Sequence, residues 1–87
     1  MAKIHKLAYN LHMNIKKGDF IVRDDVIWVV KDYSSGILLL NRFWTNREDL
    51  YKPTDTFSRS FLKHALLCDG YKYIPKEKAS TIKVLYS

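Results

Sequence analysis

Between Phe20 and Phe43 the chain is written as three β-prone runs separated by short polar breaks. Phe20-Ile21-Val22-Arg23 is the first run, Val26 to Asp32 the second and Ile37 to Phe43 the third. Asp24-Asp25 parts the first two at hairpin-loop length, and Asp tolerates left-handed backbone better than most residues. The spacing therefore predicts a β-hairpin with the two acids at its tip, held in water. Lys17-Gly18-Asp19 reads as a turn before the first strand, and Tyr33-Ser34-Ser35-Gly36 as the turn between the second and third. The second and third runs are apolar on both faces. Ile27 and Val29 share one side, and Val26, Trp28 and Val30 the other. A strand buried on both sides lies in the middle of something, so in a chain this small the sheet either curls into a barrel or is covered by helices.

Outside this block the period changes. Ile4, Leu7, Ala8, Leu11 and Ile15 recur at helical spacing and form one apolar stripe over residues 3–15. The segment lacks a strong N-cap, so a strand is the rival reading there. Residues 44–53 form an irregular connection. Thr54 or Asp55 can cap a helix running to about Cys68, with Phe57, Phe61, Ala65 and Cys68 on one face and Leu62 and Leu66 beside them. Asp69-Gly70 closes it, Gly70 suiting the left-handed position after a helix. Tyr71 to Ile74 reads as a strand, Pro75 to Ser80 as a polar loop, and Thr81 to Tyr86 as a last alternating strand.

The expected fold class is α+β. It comprises a small, strongly bent antiparallel sheet of about five strands, an N-terminal helix and one helix inserted at about 55–68. With 87 residues, the chain reads as a single domain over 1–87. Three features of residues 16–44 carry a family resemblance: the Gly18-Asp19 step, the Val26–Val30 strand with Trp28, and the Ile37–Arg42 strand. This stretch resembles small SH3-like barrels, including KOW- and Tudor-type modules, and implies an SH3-like partial barrel. The resemblance brings no functional residues with it.

Charge changes the picture next. The net charge is +6, but it is unevenly placed. Lys3, Lys6, Lys16 and Lys17 stand in residues 1–18 with no acid, and Lys72, Lys76, Lys78 and Lys83 face only Glu77 in residues 71–87. The middle is near balance. Basic ends favour polyanions or an acidic protein face, although solubility alone accounts for such a charge equally well. Hydrophobic residues at 47% and charged residues at 28% are ordinary for a folded chain and argue against disorder. Cys68 is the single cysteine, which rules out an internal disulfide and suits a reducing cytoplasm. No apolar run is long enough to span a bilayer, so a membrane is not an expected partner.

The candidate chemistry is sparse. His5, His12 and His64 have no ligand spacing that would hold a metal, and no cofactor motif is present. His64 and Cys68 stand four apart on the expected helix, but a thiol at a helix C-terminus meets the unfavourable end of the dipole. Cys68 is therefore read as core filler. The adjacent acids Asp24-Asp25 and Glu48-Asp49 lack the separated environments that acid–base work needs. An enzyme is not expected.

The strongest pattern is Asn41-Arg42-Phe43-Trp44-Thr45-Asn46-Arg47, which interleaves arginines with aromatics. Single-stranded nucleic acid is held by aromatic faces under the bases and cations along the backbone. Tyr71-Lys72-Tyr73 repeats the idea on a strand. Arg42, Trp44, Arg47, Tyr71, Lys72 and Tyr73 thus form the expected binding set, with Lys16, Lys17, Lys76 and Lys78 as phosphate contacts. The expected function is non-enzymatic binding of nucleic acid or of nucleic-acid machinery. The alternative is a protein-binding inhibitor or adaptor, of the kind small phage or mobile-element proteins provide, with aromatics and arginines as anchors; aromatics are 14% of the chain. The 3–15 stripe would also let a second copy pack as a homodimer.

Overall fold

The structure is a computed structural model that describes residues 15–80. Five strands form one antiparallel sheet: β1 Phe20–Arg23, β2 Val26–Ser34, β3 Ile37–Thr45, β4 Thr54–Ser58 and β5 Lys72–Ile74. Their order across the sheet is β4-β3-β2-β1-β5. One α-helix, α1 Arg59–Cys68, follows β4, and a 3-10 turn spans Lys76–Lys78. The mixed α+β class holds. The sheet is open, with β4 and β5 as its two edges, and no closed barrel forms among the described residues. The expected helix over 3–15 and the expected strand over 81–86 lie outside the described residues, apart from Ile15, which is irregular in backbone and packs into the core.

Both predicted hairpins form. Arg23 pairs with Val26 across Asp24-Asp25, and Ser34 pairs with Ile37 across Ser35-Gly36. Ser35 and Gly36 have φ of 53° and 75°, the left-handed pair that matches strand twist in a two-residue hairpin. Neither Asp24 nor Asp25 has positive φ, so the two-residue connection there turns without left-handed backbone. β2 is longer than its apolar run because the ladder continues through Lys31, Asp32, Tyr33 and Ser34 to the turn, and β3 continues past Phe43 to Thr45, opposite Val26. Two register shifts interrupt them, one between Val30 and Asp32 and one where Ile27 faces Trp44 while Trp28 faces Arg42. The second leaves Phe43 as an extra residue in β3, a bulge that redirects side chains.

The apolar runs sort as their two-sided pattern requires. Val26, Trp28 and Val30 enter the main core with Ile21, Leu38, Leu40, Phe57, Leu62, Ala65 and Tyr71. Ile27 joins Val22 and Ile74 on the opposite face, with Phe20 packed against them. β2, apolar on both faces, is indeed the central strand.

Residues 54–58 correct the expected start of the second helix. Thr54 and Thr56 are β-branched, the segment pairs with β3, and Phe57 alone is buried, opposite Leu38. The helix begins after Ser58, whose Oγ accepts from the Phe61 N–H at 3.1 Å, a cap of about 1 kcal/mol. With Phe57 assigned to a strand, the buried helix face is Leu62 and Ala65. Phe61 and Cys68 are exposed, so Cys68 is not core filler. Gly70 takes φ 76°, the left-handed position expected of it. The Asp69 and Tyr71 N–H groups both donate to the Ala65 carbonyl.

Candidate nucleic-acid interface

The turn before β1 is built from its sequence in a direct way. The Asp19 N–H donates to the Lys16 carbonyl at 3.1 Å, and Gly18 supplies φ 95° at the third position, as a type II turn requires. This places the Asp19 side chain inside, with no exposed surface. Its carboxylate accepts from the Lys16 N–H at 2.9 Å, the Lys76 N–H at 3.0 Å and the Tyr73 hydroxyl at 2.6 Å. Burial pushes this carboxyl up, but the Tyr73 hydroxyl, the two backbone donors and the Lys16 charge outweigh it and hold the group below the usual carboxylate range. The same bond, together with burial, pushes the Tyr73 hydroxyl up.

Asp19 is thus a latch between two stretches 57 residues apart. It joins the Lys16-Lys17-Gly18 turn to the start of Lys76-Glu77-Lys78. A Cβ placed on Gly18 would stand 3.1 Å from Lys76 Cδ, which shows how closely the two stretches approach. Lys16 Nζ, 49% exposed, is shared between Asp19 and Glu77 at 3.5 Å each. Lys17, Lys76 and Lys78 are exposed and join no ion pair among the described residues. The result is a lysine-bearing end of the sheet.

The opposite end has different chemistry. Asp25, 26% exposed, accepts from Arg23 Nε at 3.1 Å and from the Tyr51 hydroxyl at 2.8 Å. Arg23 also donates to the Tyr51 oxygen and to the Asp69 carbonyl, and lies 4.4 Å over the Tyr71 ring. Burial raises the Asp25 carboxyl, and the Tyr51 and Arg23 bonds bring it below its ordinary value. Thr45 and Asn46 donate to the Asp25 carbonyl, so the 46–53 connection closes over this end.

The expected binding set is dispersed by this arrangement. Arg42 stands on the main-core side, facing Trp28 in register, and donates to the Tyr51 carbonyl. Trp44, 36% exposed, falls on the other face, in register with Ile27. The bulge at Phe43 therefore separates two side chains that strict alternation would have kept together. Arg47 is exposed, but its guanidinium is paired with Asp49 at 3.1 to 3.2 Å at the acid-bearing end. Tyr71 is buried in the core and Tyr73 packs against it, so neither offers a ring to a base. Their alternation with Lys72 is as expected, but the side they share is the interior. Lys72 is exposed, in register with Val22 on the face opposite the main core. Lys16, Lys17, Lys76 and Lys78 are the members the fold brings together.

Asp19 has no signal in the sequence beyond the Gly18-Asp19 step, which reads as turn chemistry alone. Among the described residues, no three His, Cys, Asp or Glu side chains converge as a metal site, and His64 lies 3.4 Å from Asp69, not against Cys68. Comparison with protein-family models, with curated proteins and with solved structures finds no match.

Proposed function

We propose that the protein is a non-catalytic binding domain for polyanions, nucleic acid foremost. Lys17, Lys76 and Lys78 supply the phosphate contacts, with Lys16 beside them. One observation carries the reading. The Asp19 carboxylate is satisfied mainly by neutral backbone and hydroxyl donors, so the turn and the 76–78 stretch are locked together without consuming Lys17, Lys76 or Lys78. Lysines held as an unpaired group attract phosphates through counterion release, an effect that needs no shaped pocket.

The test is a titration of labelled single- and double-stranded oligonucleotides at two salt concentrations. Three phosphate contacts predict a slope of log affinity on log salt of about −2 for a single strand. Replacing Lys17, Lys76 and Lys78 with Gln should abolish most of that slope and leave the fold intact. Poly-glutamate bound as tightly as an oligonucleotide would assign the lysine end to an acidic protein face. Absence of oligonucleotide binding at about 50 mM salt would remove the reading.

A further inference from the structure

We infer that the ligand is single-stranded nucleic acid and that Phe43 stacks on one of its bases, a refinement that rests on the polyanion reading above. Phe43 is the extra residue of the β3 bulge and is 61% exposed, more than any other large apolar side chain described. A flat ring left in water at a bulge invites an account in terms of a ligand, because bulges re-aim side chains. The ring packs edge to face on Phe20, centroids 5.5 Å apart and planes at 74°, and Phe20 is itself packed on Val22, Ile27 and Ile74. A held ring loses little freedom when a base stacks on it.

The aromatic pair is continuous with the lysines. Phe20 follows the Lys17-Gly18-Asp19 turn directly, so Lys17 and Phe20 Cα atoms stand no more than about 10 Å apart. Across the ladder Phe20 faces Ile74, two residues before Lys76 and two after Lys72. Cations along a path beside an exposed aromatic face are the features that bind single strands without sequence preference. A duplex hides its base faces, so it can use the lysines but not the ring.

The experiment uses fluorescence anisotropy with a labelled deoxythymidine strand of about 12 nucleotides, the same strand annealed to its complement, and inorganic polyphosphate as a competitor without bases. Phe43→Leu keeps the apolar bulk and removes the π-face. It should weaken single-strand binding about fivefold or more, leave polyphosphate binding unchanged, and be rescued by Phe43→Tyr. Single-strand affinity unchanged in Phe43→Leu, or a duplex bound as tightly as the single strand, would overturn the stacking role. If only the lysine triple variant loses binding, the polyanion reading stands and the stacking falls. If neither oligonucleotide nor polyphosphate binds the parent protein, both fall together.

Discussion

Two ends of one sheet each centre on an aspartate that accepts from a tyrosine hydroxyl, Asp19 from Tyr73 and Asp25 from Tyr51. They differ in what else satisfies the carboxylate. Asp19 is fully buried and draws on two backbone N–H groups, with Lys16 only at 3.5 Å and half exposed. Asp25 is partly exposed and draws on the Arg23 guanidinium. A carboxylate held by backbone dipoles leaves the neighbouring cations to face outward. A carboxylate held by an arginine cancels it. The two devices have similar geometry, yet one end displays positive charge and the other consumes it.

The largest effect expected from breaking this contrast is on stability. Asp19→Ala removes a fully buried acceptor from three part-buried donors and should cost about 3 kcal/mol, read from urea unfolding. Asp25→Ala should cost about 1–2 kcal/mol, because water can reach the groups it leaves behind. Equal losses would show that burial of the acceptor does not separate the two ends. If Asp19→Ala does not fold, Asp19→Asn, which keeps one acceptor oxygen, serves the same comparison.

A smaller effect separates the hydroxyls. Tyr73→Phe leaves Asp19 its two backbone donors and should cost about 1–2 kcal/mol, while its lysine neighbours keep their affinity for polyanions. A loss of binding larger than the loss of folded fraction would show that Tyr73 itself contacts ligand.

The pH dependence sharpens the contrast further. Both carboxyls sit below their ordinary value of 3.8 in the folded protein. A carboxyl held low contributes stability that is complete above about pH 4 and is lost as pH falls through its folded value. Asp19→Asn and Asp25→Asn should each flatten the acid limb of an unfolding profile below about pH 4. At the other extreme, Tyr51, Tyr71 and Tyr73 are held above their ordinary value of 10.0. Their neutral forms contribute stability that declines as pH rises beyond about 10. A flat profile between pH 10 and 11 would contradict that placement.

The smallest effect belongs to Arg47. Its pair with Asp49 is exposed and screened, so Arg47→Gln should leave melting temperature and polyanion affinity unchanged. A clear loss of affinity would return Arg47 to the binding surface and undo the division into two ends.

Particular residues show why some of this could be read in advance and some could not. The hairpins were legible because Asp24-Asp25 and Ser35-Gly36 interrupt apolar runs at turn length, a local signal. Gly70 was legible for the same reason. The segment Thr54–Ser58 is ambiguous in sequence because Phe57 and Phe61 are four apart, which fits a helix as well as a strand leading into one, and because Thr54, Asp55 and Ser58 are all good caps. Only pairing with β3 decides between them. Alternation puts Tyr71 and Tyr73 on one side of the chain, but which side faces the core depends on Ile21 opposite Tyr73. Asp19 carried no signal beyond its turn, because two of its partners lie more than fifty residues away.

Local chemistry therefore determined the alternation of strands, the turns between them and the lysine-rich composition of the two termini. Tertiary structure decided where that charge is displayed. The bulge at Phe43 and the register of β3 sent Arg42 inward and Trp44 to the other face. The Asp19 latch brought residues 16–17 and 76–78 together. Turn and strand preferences act over a few residues. The pairing of a buried acceptor with its donors is a property of the closed chain.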